Sequence, residues 1–449
     1  MILFAGLLFL ALTVGIALRN GTPIGILTAC VAGQLLLPRD AVWNSTDGEW
    51  YFGKRTFIAI AIILAIGTNY RTIRQGKLNW FDLAPTLFLL SPLFSVLANR
   101  GENWTNGIAI VVDRILVWGV PYIAGRICFQ TRHELELVRK WLLYGTLMIS
   151  PLFAWEAFLG PDYYLSKLIF GTVPYENMTW RLGGWRPELF FFSGIECGTW
   201  MACCTAIAIS AVKIDNWYSV ENLTSLAVCI AMLLLLVFSR TIYAYALLIG
   251  TLPFCLLAFW IRRPYPLLVL VIGVSVYCAT RSTGSWDGEL MVQVVAKSKS
   301  DKAGSIAYRV RAENSYVEKV CKHGPIWGFG GTNSAIYDWW AKNHLWPDGW
   351  WVHIFRCGGY AGLATWIGCF GLMPLLATMP FSIPPRWRSV EPSGKLIAFS
   401  CFVILNLVDG LHNMAILGTT GLLLGAIVAT RAAAVCKLTK QATMEQNAD

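Results

Sequence analysis

The chain has 449 residues, of which 56% are hydrophobic and only 14% charged. A water-facing domain carries about 25% charged residues, so cytosolic enzymes, disulfide-rich secreted domains and disordered chains are excluded, and what remains uses lipid as its solvent. The net charge of +10 would suit nucleic acid, but Lys and Arg are scattered over short connections with no run of five or six, a topology signal and not a nucleic-acid footprint.

A membrane-crossing helix needs about 20 apolar residues. The runs that approach this length are 2–18, 22–38, 56–69, 82–98, 105–125, 141–159, 189–212, 222–238, 241–260, 265–280, 350–380, 396–408 and 413–430. They predict an all-α polytopic membrane protein of about twelve to fourteen transmembrane helices, with one large extracytoplasmic loop containing amphipathic helices. The first run lacks a basic n-region and a small-residue cleavage site, so it reads as a membrane helix and not a signal peptide. Three regions are expected: an N-terminal bundle over 1–280, an extracytoplasmic loop over 281–349, and C-terminal helices with a cytoplasmic tail over 350–449.

Orientation follows the basic residues. Connections holding Arg71, Arg74 and Lys77; Arg126, Arg132, Arg139 and Lys140; Arg262 and Arg263; and Arg386, Arg388 and Lys395 fall on one side, with the tail's Arg431, Lys437 and Lys440. That side should be cytoplasmic. Most of the 13 cysteines lie in apolar runs, where a thiol behaves as a small hydrophobe, and no Cys/His spacing of zinc type occurs. No P-loop and no inverted pair of broken helices is present, which disfavours an ATP-driven engine or a secondary transporter.

The most informative stretch is 281–349. Residues 305–322 place Ile306, Val310, Val317 and Cys321 on one stripe at helical spacing, with Arg309, Arg311, Glu313, Glu318, Lys319 and Lys322 off it. This predicts an amphipathic helix resting on the membrane surface or the bundle, stopped by Gly324-Pro325. Gly328, Gly330 and Gly331 then force a turn, which either cradles phosphate with its N–H groups or is only a turn. The indole-rich 338–351 segment reads as an interfacial belt or a sugar-stacking platform. Elsewhere, Ser239-Arg240 separates two apolar runs on the outer side, Arg186 precedes a run that contains Glu196, and Asp409 and His412 share a short turn. Charges at such depth are costly unless paired or solvated. Asp113–Arg114 and Asp409–His412 also admit a simpler role, holding helices together.

The order of these features resembles the superfamily of O-antigen ligases and O-antigen polymerases, polytopic glycosyltransferases of the bacterial envelope. The matching elements are Ser239-Arg240 opening a helix, Arg309 on the loop helix, the Pro325–Gly330 turn, and Gly359-Tyr360-Ala361-Gly362 in the next span. They cover roughly 180–380. In the family a His-Asn pair stands about eleven residues before the last motif. That position falls here on Asp348-Gly349, with His344 four residues earlier and His353 five later.

The resemblance implies transfer of a glycan from a polyprenyl diphosphate to a lipid or other acceptor, in the plasma (inner) membrane with the active site outside, without metal or cofactor and with inversion. Arginine suits the departing diphosphate because its fork binds phosphate oxygens and never loses its charge. The expected clamp is Arg240 and Arg309, with Arg186 and Arg311 as further candidates, and the expected base is Asp348 or His344. A polymerase joining lipid-linked repeat units is the near alternative. A transporter or flippase for an amphipathic glycolipid is the alternative of another class.

Overall fold

The structure, a computed structural model, describes residues 1–39, 43–44, 51–69, 78–99, 104–171, 179–214, 220–297, 303–330, 349–379, 393–413 and 417–446. In chain order its helices are α1 (Ile2–Asn20), α2 (Thr22–Leu36), α3 (Lys54–Gly67), α4 (Leu83–Ala98), α5 (104–128), α6 (Arg132–Met148), α7 (Ser150–Leu159), α8 (Leu165–Phe170), α9 (Gly194–Ile214), α10 (Val220–Phe238), α11 (Ile242–Ile261), α12 (Tyr265–Ser282), α13 (Glu289–Lys297), α14 (Ala303–His323), α15 (Trp350–Thr378), α16 (Ser393–Asp409) and α17 (Thr419–Gln446). Two antiparallel ribbons, Trp43–Asn44 with Tyr51–Phe52 and Trp180–Arg181 with Gly184–Trp185, are the strands among the described residues.

Among the described residues eight helical stretches are long and apolar enough to cross a membrane. The chain is thus an all-α polytopic membrane protein. Every apolar run read from the sequence is helical over most of its length, but 22–36, 224–238 and 419–433 are shorter, and α3 and α16 have 14 and 17 residues. At 1.5 Å per residue, 17 residues span only about 25 Å of a core near 30 Å. With all five of these short helices spanning as well the total would be thirteen, so the expected twelve to fourteen crossings need at least four of them.

Lipid exposure and protein burial divide the bundle. α1 shows Phe4, Leu7 and Leu12 to its surroundings, and α10 shows Ile230, Leu234 and Val237. α9 is the opposite: Trp200, Met201, Cys203, Cys204 and Ala208 are fully enclosed, and α10, α11 and α16 pack around it. α17 meets α5 through Gly421 and Gly425, where a Cβ on Gly425 would stand 2.1 Å from the Tyr122 carbonyl oxygen. Without a hydrophobic drive between helices in lipid, such backbone-to-backbone contact is what holds them together.

Three expectations change. The run expected as a span from 189 becomes helical only at Gly194. The residues before it have lost their N–H groups to carboxylates: Glu156 accepts from Glu188 and Leu189 at 3.0 and 2.7 Å, and Glu196 accepts from Phe192 at 2.8 Å. Secondly, of the two placements expected for α14, the membrane surface or the bundle, it takes the bundle, but with more than one stripe buried. It packs against α12 and α15 with Val310, Ala312, Glu313, Tyr316, Val317 and Val320 all buried. Glu313, expected on the wet face, is inside because Arg281 on α12 meets it at 2.9 Å.

The third change concerns the glycine turn. α15 is kinked at Gly359, whose φ of 58° is left-handed, a conformation costly for any residue with a Cβ. The kink frees the carbonyls of Arg356 and Cys357, which accept from Phe329 and Gly330 at 2.8 and 3.1 Å. Gly328 N–H donates to the Gly324 carbonyl at 2.7 Å. These three N–H groups of the turn are therefore taken by protein, and they do not form a phosphate cradle. The two glycine motifs instead interlock, since a Cβ on Gly359 would stand 2.5 Å from the carbonyl oxygens of Pro325 and Ile326.

Candidate functional site

Hydrogen bonds tie the helix ends at Lys54, Trp351 and Asp409 to their neighbours, Lys54 to the segment before α9, Asp409 to Thr199 of α9 and Trp351 to Gly410. Two polar clusters form around these contacts. The first is built around the segment 185–196. Arg240 follows the C-terminus of α10 with a φ of 49°, which turns the chain sharply into α11. Its Nη1 donates to the Ala157 carbonyl at the end of α7, at 2.5 Å, and to the Trp185 carbonyl at 2.8 Å. The guanidinium lies against Gly184, where a Cβ would come within 2.0 Å of it.

Arg186 is buried over the first residue of α9, Gly194, with its Nε 2.5 Å from where a Cβ would stand. Its Nη2 is 3.7 Å from Glu188, which Arg39 also approaches at 3.5 Å. The Tyr164 hydroxyl donates to Glu188 at 3.3 Å, and burial raises that phenol's pKa. Beneath them Lys54 donates to the carbonyls of Gln34 and Phe190 at 2.6 and 2.8 Å. Two of the four expected clamp arginines thus hold this frame, with Arg240 bound to backbone oxygens and Arg186 beside a carboxylate.

The second cluster joins α11, α12, α14, α15 and the turn after α16. Arg281 bridges to Glu313 at 2.9 Å and donates to the Trp286 carbonyl at 3.2 Å. The Tyr277 hydroxyl donates to the same Glu313 oxygen at 3.2 Å. Burial raises the Glu313 carboxyl's pKa against the opposing pull of Arg281 and Tyr277. His412 sits edge-on between Tyr243 and Tyr277, with ring centroids 6.1 and 5.8 Å away. Burial, then the charges of Arg309 and Arg281, pull its imidazole down to about 4.

The charge of Arg309 also bears on Tyr243, three residues beyond Arg240. Arg309 is half-buried, whereas Arg311 is exposed, so the structure separates two arginines that sequence spacing left together. Asp409 closes the cluster from below: one carboxylate oxygen accepts from Thr199 at 2.8 Å and from Asn413 at 3.0 Å, while the other, fully buried, has no hydrogen-bond partner among the described residues. The turn that carries His412 is pinned to α15, because Trp350 and Trp351 donate to the carbonyls of Asn413 and Gly410 at 3.1 and 3.0 Å.

His344 and Asp348 lie outside the described residues. Gly349, the next described residue, stands against the turn, where a Cβ on it would be 2.6 Å from the Leu411 carbonyl oxygen. His353 is described and belongs elsewhere, near Arg356 at 3.4 Å and stacked on Trp350 with centroids 4.8 Å apart. Arg281, Glu313, Tyr243 and Tyr277 are members that sequence reasoning did not single out. Their signal is weak, since each is an ordinary residue in its helix and the Arg281–Glu313 pairing spans 32 positions.

Chemically, the second cluster gathers the Arg281–Glu313 ion pair, the charge of Arg309 and the Asp409 carboxylate. A neutral imidazole and two phenols stand among them. Burial is the main cause of the depressed imidazole, and the charges of Arg309 and Arg281 add to it. The chain matches no known family model and no curated protein.

Proposed function

We propose that the protein is a membrane glycosyltransferase of the O-antigen ligase kind, moving a glycan from a polyprenyl diphosphate to an acceptor outside the membrane. The observation that carries this reading is the approach of Arg309 from the loop helix to Tyr243 in the first turn of α11, directly after Ser239-Arg240, in a cluster that also holds His412, Tyr277 and the Arg281–Glu313 pair. In this account the diphosphate binds at Arg309, beside His412 and Tyr243. Arg240 positions α11 through the carbonyls of Ala157 and Trp185, and Arg186 stiffens the segment that backs it. Arg311, being exposed, has no part in the clamp.

The reaction requires an acceptor hydroxyl oxygen to attack the anomeric carbon. The bond from that carbon to the diphosphate oxygen breaks, and its electron pair leaves with the diphosphate. The hydroxyl proton passes to a base, a role suited to Asp348 or His344. A general base contributes about 10²–10⁴ in rate, and a fixed cation at the departing charge about 3–4 kcal/mol. Direct displacement inverts the anomeric centre.

Purified protein incubated with a polyprenyl-diphosphate glycan and candidate acceptors should release polyprenyl diphosphate in step with glycosylated acceptor. Translocation of the intact lipid in vesicles, with no release for any acceptor, would instead favour a flippase. A second lipid-linked glycan serving as the only acceptor would identify a polymerase.

A further inference from the structure

At the opposite end of the bundle a cavity of about 200 Å³ opens between α6, α9 and α10. Its polar lining is Glu136, Arg139, Lys140, Tyr144, Thr224 and Ser225. Glu136 is held by Arg139 at 2.6 Å and by Lys395 of α16 at 2.5 Å. Among the described residues the lining thus carries two cations, Arg139 and Lys140, and one carboxylate that Lys395 also neutralises, around a space several times the roughly 30 Å³ of a water. Lys140 and the hydroxyls of Thr224 and Ser225 add donors to that lining.

From this geometry we propose a binding site for a phosphate group, independent of the glycosyltransferase reading. The guanidinium and ammonium match phosphate oxygens, and two adjacent hydroxyls on α10 add neutral donors. Tyr144, 45% exposed, is the amphipathic ring expected where a helix leaves the hydrocarbon. The basic-residue bias assigns this end to the cytoplasmic side, where basic pockets between membrane helices hold anionic lipid headgroups. A phosphate could be delivered there by a lipid or by a soluble ion, and the two are separable.

Native mass spectrometry of the full-length protein in detergent, titrated with phosphatidylglycerol, phosphatidylcholine or inorganic phosphate, tests the site. The expected result is preferential binding of phosphatidylglycerol, weakened about five-fold by Lys140→Gln and also weakened by the double variant Thr224→Val, Ser225→Ala. Arg263→Gln, at the same end but outside the cavity lining, should leave it unchanged. Phosphatidylglycerol binding that millimolar phosphate does not displace identifies a lipid headgroup. Binding of inorganic phosphate with the same Lys140 dependence identifies a soluble ligand. Equal retention of both lipids with no phosphate binding would overturn the site, as would equal losses from Lys140→Gln and Arg263→Gln, which would mean diffuse surface attraction.

Discussion

The two polar clusters around 185–196 and α14 differ in what their charges face. Around 185–196 the cations meet fixed oxygens of the chain itself, as when Arg240 and Lys54 each bind two carbonyls and the Glu156 carboxylate takes three N–H groups. Around α14, by contrast, Arg281 is matched by Glu313 while Arg309 adds a further charge beside a neutral histidine and two tyrosines. A buried charge whose partners are all backbone is architecture, because removing it strands them. Around α14 the side chains are bound mainly to one another, and substituting one of them leaves the backbone frame intact.

The largest effect should come from breaking the frame. Glu156→Ala strands the N–H groups of Leu165, Glu188 and Leu189, at about 1–3 kcal/mol each. The expected outcome is a large fall in Tm in detergent or loss of folded protein, and an unchanged Tm would remove the distinction between the clusters. Next, Arg309→Ala should lower turnover about 10²–10³-fold with Tm preserved, while Arg311→Ala stays within two-fold of wild type. Arg240→Ala sharpens the contrast, since stability and turnover should fall together.

A smaller effect is expected at the kink. Gly359→Ala places a Cβ against the Pro325 and Ile326 carbonyls in a left-handed conformation, at a cost of about 1–3 kcal/mol. Thermal unfolding measures it, and a neutral result would mean the two glycine motifs do not interlock. The smallest effect is in pH dependence. His412 titrates near 4 when folded and near 6.5 ordinarily, so between those values the unfolded chain takes a proton that the folded one refuses. Stability from this group is present above about 6.5 and is lost as pH falls toward 4. Glu313 acts in the opposite sense: its raised folded pKa favours the native state at low pH, and that contribution fades as pH rises. His412→Asn should flatten the fall in Tm between pH 6.5 and 4, and an unaltered slope would contradict the burial of a neutral imidazole.

Much of the fold was legible because a bilayer demands long apolar runs, and runs survive in one dimension. The α10–α11 break at Ser239-Arg240 and the helix over 303–323 were equally visible, as a polar interruption and as periodic spacing. What escaped depends on partners distant in sequence. The start of α9 is set by Glu156, some 30 positions upstream, and the burial of Glu313 is set by Arg281 on another helix. The glycine turn stayed open between a phosphate cradle and only a turn because its N–H groups find their acceptors where α15 kinks. Of the candidate site, Arg309 was preferred over Arg311 by its distance to that turn, and exposure separates them in the same direction. Asp409 and His412 were noticed as a pair, but nothing in one dimension joined them to α12 and α14.

The central claim is that the Arg309 cluster is the diphosphate site. Its most direct test is the affinity of the purified protein for a polyprenyl diphosphate carrying no glycan, compared among wild type, Arg309→Ala and Arg311→Ala. The account predicts binding weakened at least about ten-fold by Arg309→Ala, the worth of one charge-assisted contact, and unchanged by Arg311→Ala. Equal affinity in all three proteins, with Arg309→Ala folded as wild type, would contradict it.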